Sequence, residues 1–218
     1  MRLRNKPWAA PELSACPYYL NDPFSLKGKW KEQFQNDNPI WLEIGCGKGL
    51  FIAGNAPGTP EINYIGSDIK SLMLAYARRN IEDAFGLVGK KVDNVRLLSL
   101  DAERISLAFS KEDSIDKIII NFPNPWPKEP HKKRRLTHTR QLVQYHSFMA
   151  DNAEILFKTD SDFLFQDSLG YFKEAGFSLL EVEPDYYSSH SLDSAILTEH
   201  EKKFLESGLP IHFIRAGK

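Results

Sequence analysis

Five stretches of this chain hold residue types at spacings that suit chemistry. The first, Glu43-Ile44-Gly45-Cys46-Gly47-Lys48-Gly49, puts a carboxylate two residues ahead of a glycine loop. Glycines let backbone approach a ligand closely, but the spacing here is G-x-G-x-G, with Leu50 where the dinucleotide pattern G-x-G-x-x-G has its third glycine. A carboxylate at that place repels a pyrophosphate and suits an ammonium. Asp68, 23 residues beyond Gly45, can accept both hydroxyls of a ribose, and Asp101-Ala102 is placed to meet an adenine edge. An ammonium, a ribose and an adenine without phosphate describe S-adenosylmethionine. Taken singly, Asp68 and Asp101 read equally well as helix N-caps; three acids at successive strand ends are harder to read that way.

The fourth stretch, residues 120–135, runs from an apolar segment into Asn121-Phe122-Pro123-Asn124-Pro125-Trp126-Pro127 and then into Lys128-Glu129-Pro130-His131-Lys132-Lys133-Arg134-Arg135. Pro123, Pro125, Pro127 and Pro130 fix φ and remove amide donors, so this segment is a rigid loop rather than a helix or a central strand. Such a loop, with Asn124 and Trp126 inside it and cations beside it, suits a planar base and its phosphates. The fifth stretch is Thr159-Asp160. Asp160 reads as a ligand-facing carboxylate or as the cap of the helix that follows.

Hydrophobic patterning supplies the elements that position these residues. Strands are expected over 40–44, 62–67, 95–100, 115–121, 154–158, 177–182 and 211–215, alternating with helices that include 69–85, 103–109, 139–150, 162–175 and 196–206. In the 69–85 helix, Leu74, Ala77, Ile81 and Phe85 share one face. Alternation of this kind implies an α/β fold with an open parallel sheet, helices on both faces and right-handed crossovers. Ligands of such sheets sit beyond the carboxyl ends of the strands, where the five stretches fall. Residues 1–38, with Pro7, Pro11, Pro17, Pro23 and scattered aromatics, read as a basic, aromatic arm laid over a single domain spanning 39–218.

Composition narrows the classes. At 218 residues with 42% hydrophobic content the chain can bury one full core. No apolar run approaches the roughly 20 residues of a membrane span, and the start of the chain is not a secretory signal, so a cytoplasmic location is expected. Cys16 and Cys46 make no disulfide framework, and no Cys/His spacing suits zinc, so no metal is expected. The net charge of −1 conceals an asymmetry: residues 1–31 carry six Lys/Arg against two acids, residues 128–140 six against one, and residues 151–206 four against thirteen. A basic face for nucleic acid follows.

These residues resemble those of the bacterial tRNA (guanine-N7)-methyltransferases, a branch of the Rossmann-like class I methyltransferases. The resemblance spans Arg4-Asn5-Lys6-Pro7-Trp8 to the last strand. It rests on the glycine loop, on Tyr64-Ile65-Gly66-Ser67-Asp68, and above all on Asn121 to Lys128 with His131-Lys132-Lys133-Arg134-Arg135-Leu136. It implies a mostly parallel seven-stranded sheet with one antiparallel strand, and methyl transfer from S-adenosylmethionine to N7 of a guanine in tRNA, position 46 of the variable loop. By motif, Glu43, Gly45, Gly47, Gly49, Asp68, Asp101 and Asn124 contact the cofactor, with Asn124 at the catalytic position. Lys128, Asp160, Thr198, Glu199, His200 and Glu201 contact the substrate, although Thr198 and Glu201 also have the spacing of a capping box. The family usually has Asp in the Phe-Pro-x-Pro-Trp loop, where this chain has Asn124. Two other readings are an exocyclic-amino methyltransferase and a catalytically weak RNA-binding relative. If Lys128, Lys132, Lys133, Arg134 and Arg135 all meet phosphates, log K for RNA falls with log[salt] at a slope of about −3.5 to −4.5. The state can be a monomer or a homodimer.

Overall fold

A computed structural model describes residues 6–190 and 199–218. In chain order its strands are β1 (Tyr19–Leu20), β2 (Ile40–Ile44), β3 (Asn63–Asp68), β4 (Val95–Ser99), β5 (Ile115–Asn121), β6 (Met149–Thr159), β7 (Ser178–Glu183) and β8 (His212–Gly217). The helices are α1 (Ala9–Ser14), α2 (Leu50–Asn55), α3 (Ser71–Leu87), α4 (Thr139–Phe148), α5 (Asp162–Glu174), α6 (Tyr186–Ser189) and α7 (Glu199–Glu206). All eight strands form one sheet in the order β1-β4-β3-β2-β5-β6-β8-β7. Pairing is parallel from β1 to β6, and β8 runs antiparallel to both β6 and β7.

The sheet thus has one more strand than the seven expected. The extra one is β1, two residues of the arm that pair with Leu97 and Leu98 of β4. No alternation pattern fits in two residues, which is why sequence periodicity missed it. The expected helix over 103–109 is a 3₁₀ segment, Ala102–Leu107.

The core follows from the strand and helix periods. Tyr64 and Leu97 point to one face of the sheet and Ile65 and Leu98 to the other, each at most 1% exposed. On the first face α3 lays Leu74, Ala77, Ile81 and Phe85, spaced by three, four and four residues, against the strands. On the second face, Ile118 and Ile120 of β5 meet Ile155 and Phe157 of β6, with α4 and α5 above them. Full burial of such side chains stabilises by roughly 1.5–3 kcal/mol each. The arm joins this core: Trp30 is wholly buried, stacks on Phe109 at 5.0 Å and donates from Nε1 to the Ala108 carbonyl at 2.8 Å. Farther out, Glu12 of α1 binds Arg78 and Arg79 of α3. No described helix is long and apolar enough to cross a membrane.

Candidate active site

The parallel strands end on one edge, and a cavity of about 430 Å³ opens there. Its walls come from Glu43 near the end of β2 and the glycine loop (Gly45 to Lys48), from Leu50 and Phe51 of α2, Met73 of α3, Asn121 and Phe122 at the end of β5, and Lys203 of α7. The loop is held rigidly. Gly45 and Cys46 both donate to the Ser67 carbonyl, at 2.8 and 2.9 Å, Gly47 donates to Asp68 Oδ2 at 3.0 Å, and the Lys48 carbonyl accepts from Asn80 of α3 at 2.8 Å.

The glycines divide the work. Gly47 has φ of 54° and open space where a Cβ would stand, so its lack of a side chain serves the turn and the cavity. A Cβ on Gly49 would come within 2.7 Å of the Ala77 Cβ, so Gly49 lets the loop pack on α3 and does not line the cavity.

Glu43 is 3% exposed in the cavity wall. Its Oε1 accepts from Asn121 Nδ2 at 3.2 Å, while its Oε2 is buried with no hydrogen-bond partner. An unsatisfied carboxylate oxygen in a low-dielectric wall is costly unless a cationic or donor group joins it. Burial pushes its carboxyl up to about 8, against the lowering pull of the Asn121 hydrogen bond and with the negative charges of Asp68 and Glu201 adding to the rise. An incoming ammonium fits that oxygen. Cys46, also in the wall, has its thiol pushed well up by burial, which removes nucleophile chemistry from it.

Asp68 turns both oxygens to backbone amides, Oδ1 to Lys70 N at 2.8 Å and Oδ2 to Gly47 N, and burial raises its carboxyl. It is not the N-cap of α3, a position held by Lys70. Asp101, by contrast, is a cap: its Oδ1 accepts from Glu103 N at 3.0 Å. Neither aspartate lines the cavity described above. The capping alternative for Asp160 gives way to Ser161, whose hydroxyl accepts from Leu164 N; Asp160 is exposed and makes no hydrogen bond or ion pair among the described residues.

Asn124 is exposed and outside the cavity wall, and its Oδ1 accepts from Trp126 N at 3.1 Å in a tight turn. Two non-glycine residues with left-handed backbone bracket this turn, Phe122 at φ 48° and Trp126 at φ 42°. Such conformations cost about 1–3 kcal/mol each and persist only when the surroundings impose them. Phe122 is held by its amide on the Lys158 carbonyl at 2.9 Å, whereas at Trp126 the imposing residue is Arg135, 1% exposed. Its Nε donates to the Pro125 carbonyl at 2.9 Å, its Nη2 to the Trp126 carbonyl at 3.2 Å, and its Nη1 pairs with Asp167 of α5 at 2.5 Å. Arg135 is therefore a clamp on the loop and not a phosphate ligand, which corrects the reading of the whole run as RNA-facing. Lys132 is also occupied, by Glu129 at 2.6 Å and Asp167 at 3.8 Å. Lys128, Lys133 and Arg134 remain exposed without an ion pair among the described residues, Arg134 lying over the Trp126 ring at 5.1 Å.

Of the C-terminal candidates, Thr198 lies outside the described residues, Glu199 and His200 open α7, and Glu201 is buried. The Glu201 carboxylate accepts from Lys158 Nζ at 2.7 Å and from the Tyr187 hydroxyl at 2.8 Å. Sequence reasoning assigned no role to Asn121, Lys158 or Lys203. Asn121 had a signal, since it ends the strand beside the one that carries Glu43 next to its end; Lys203 had none, because it reaches the site from a helix more than 150 residues beyond the glycine loop.

A family model described as a putative methyltransferase matches residues 37–214. The chain is 52% identical to a tRNA (guanine-N(7)-)-methyltransferase of Clostridium beijerinckii, over all of this chain and 99% of that one. It is 47% identical to a protein of the same name from Acetivibrio thermocellus, with each chain fully covered. Among solved structures, the 16S rRNA methyltransferase KamB superposes with a TM-score of 0.61 at 13% identity, covering 87% of this chain and 92% of that one. An antibiotic-related methyltransferase gives 0.59 at 18%, covering 86% and 91%. At those identities the likeness is one of fold.

Proposed function

The chain belongs to the tRNA (guanine-N7)-methyltransferases, enzymes that transfer a methyl group from S-adenosylmethionine to N7 of a guanine in tRNA, and from that premise we propose how its residues divide the task. The cavity at the strand ends is the cofactor site. The observation that carries this is Glu43 Oε2, a buried oxygen without a partner in the cavity wall. Glu43 takes the ammonium, Asn121 orients Glu43, and the glycine loop supplies backbone surface. Asp68 and Asp101 stand at the neighbouring strand ends for the ribose and the adenine. When bound, the cofactor supplies an electrophilic sulfonium methyl.

The proline loop presents the guanine. Guanine N7 carries an in-plane lone pair and no proton, so its attack needs no general base; orientation and electrostatics suffice. With Oδ1 committed to Trp126 N, Asn124 has its amide NH₂ for the guanine O6 acceptor, leaving N7 to the methyl. Asn124 lacks the full negative charge that would stabilise the cationic purine product, so it orients without the electrostatic gain of the family's usual Asp. Lys128, Lys133 and Arg134 hold phosphates, and Asp160 with Thr198, Glu199 and His200 completes the RNA side, Glu201 being buried against Lys158 and Tyr187. The guanine is the one at position 46 of the variable loop, and a reaction on tRNA places the enzyme in the cytoplasm.

The test is incubation with methyl-labelled cofactor and unmodified tRNA, followed by identification of the nucleoside. Label in 7-methylguanosine is expected; label in N6-methyladenosine overturns the reading, and no label leaves RNA binding alone. Asn124→Asp should raise the rate several-fold and Asn124→Ala should lower it about 100-fold, the scale of a misplaced reacting group. A neutral Asn124→Ala would remove that residue from the mechanism.

A further inference from the structure

We propose that Lys158 is a positioning residue for the cofactor cavity, acting through its pairing with Glu201 to dock α7 onto the cavity mouth. The inference rests on the assignment of that cavity to the cofactor. Lys158 sits on β6 opposite Asn121 of β5, at the level in the sheet where the cavity begins. Its carbonyl accepts from Phe122 N at 2.9 Å, and its ammonium crosses to Glu201 of α7 at 2.7 Å. That pair is largely withdrawn from water, with the two side chains 20% and 3% exposed. The rings of Tyr186 and Tyr187 flank the ammonium, at 4.5 and 5.3 Å from their centroids, and the Tyr187 hydroxyl donates to the same Glu201 oxygen.

The need for such an anchor follows from the composition of α7. Its sequence, EHEKKFLE, has only Phe204 and Leu205 as apolar residues. A helix with so narrow an apolar face is poorly held by burial. Phe204 meets the Phe122 ring at 5.8 Å, and Lys203, one residue before it, lines the cavity. Lys158 therefore touches both sides of this closure, Phe122 through its backbone and α7 through its side chain. A hydrogen-bonded ion pair of this burial is better suited to fixing one arrangement than to adding stability. Without the cation, the Glu201 carboxylate, whose charge already adds to the rise of the Glu43 carboxyl, would be left buried without its 2.7 Å counter-ion, and α7 would leave the mouth.

The test uses the full-length protein with Lys158→Met and the milder Lys158→Gln, beside Glu43→Gln, and reads S-adenosylmethionine affinity by titration calorimetry together with amide hydrogen exchange. If α7 is docked in about a tenth of the Lys158→Met molecules, the apparent Kd rises about tenfold. Exchange over 199–206 should quicken in both Lys158 variants while the amides of β2 to β5 keep their protection. Unchanged cofactor affinity in a folded Lys158→Met protein, with Glu43→Gln still weakened, overturns the inference and leaves the cavity assignment standing. Undiminished binding by Glu43→Gln would instead sink the cavity assignment, and this inference with it. A Kd increase without faster exchange in α7 also refutes the docking role, since a merely structural pair would lower the melting temperature and leave α7 where it is.

Discussion

The two halves of the proposed site, a cofactor side and a substrate side, are built in opposite ways. On the cofactor side, the sheet and the glycine loop bury a carboxylate and leave one of its oxygens unsatisfied, so the half is complete only with a ligand. On the substrate side, the proline loop satisfies itself: Asn124 closes its own turn, and Arg135 takes the carbonyls of Pro125 and Trp126. The first half draws its geometry from the core, since Glu43 and Asn121 are the last residues of packed strands or lie next to them. The second stands off the core and has to be pinned. A small cofactor can be recognised by a fixed cavity, whereas a guanine on a large RNA needs an exposed but equally rigid platform. Strain at Trp126, held by one guanidinium, and at Phe122, held by the Lys158 carbonyl, is how this chain provides it.

The comparison breaks most sharply at that guanidinium. Arg135→Ala deletes three hydrogen-bonding functions at once and leaves Asp167 without its closest cation, a loss of about 3 kcal/mol in unfolding free energy measured with urea. Methyl transfer should fall about 100-fold, because displacement of the loop by an ångström is enough to do so. Cofactor affinity should stay within about threefold of the unmodified protein if the two halves are independent, by the additivity of separated sites. Arg135→Lys should not rescue, since an ammonium cannot reproduce the planar fork across two carbonyls and a carboxylate. A parallel collapse of cofactor binding would show the halves to be coupled.

The same contrast explains what could be read from the chain alone. The strand ends that frame the proposed cofactor half were legible because their apolar runs are themselves legible; Glu43, Asp68 and Asp101 are each within two residues of such an end, and of the three only Glu43 lines the cavity. The helical spacing of Leu74, Ala77, Ile81 and Phe85 likewise became the buried face of α3. In the basic run, by contrast, Arg134 and Arg135 are adjacent and of one type, yet one is exposed and the other buried. What separates them is Asp167, which α5 delivers from 32 residues away. The alternation of strands and helices showed where polar residues gather, but not which of two neighbouring cations turns inward.

That distinction changes the expected salt dependence. With Arg135 and Lys132 occupied inside the protein, the run offers three cations, Lys128, Lys133 and Arg134. At about −0.7 to −0.9 per phosphate, their joint share of the slope of log K for tRNA against log[salt] is about −2.1 to −2.7, well short of the value for five. Replacing the three by alanine should flatten the slope by that amount, roughly a 20- to 40-fold affinity difference between 50 and 200 mM salt. Replacing Lys132 alone should leave it nearly unchanged. Filter binding across that range separates the outcomes, and a flattening of about 0.7 to 0.9 on replacing Lys132 alone would return Lys132 to the RNA.

The smallest effect sharpens the cofactor half. In the ligand-free protein Glu43 holds its proton until about pH 8, mainly because burial disfavours its charge, while the unfolded chain releases it near 4.5. Over that interval the unfolded state binds fewer protons than the native state, so native stability is greatest below pH 4.5 as far as this group is concerned and is lost as pH rises through about 8. An ammonium beside Oε2 favours the ionised form, so cofactor binding must expel the proton. At pH 7 the release should be close to one proton, and affinity should rise nearly tenfold per pH unit between 6 and 7, flattening toward 8. Titrations in buffers of different ionisation enthalpy read the proton directly, and they are best kept below about pH 7.5, where the ligand's own α-amino group stays protonated. Glu43→Gln should bind more weakly with no such release, because an amide has nothing to give up. An unmodified protein whose affinity is flat from pH 6 to 7, together with undiminished binding by Glu43→Gln, would mean that the ammonium does not meet Glu43. The unsatisfied oxygen would then be a structural defect, and no longer the mark of the cofactor half.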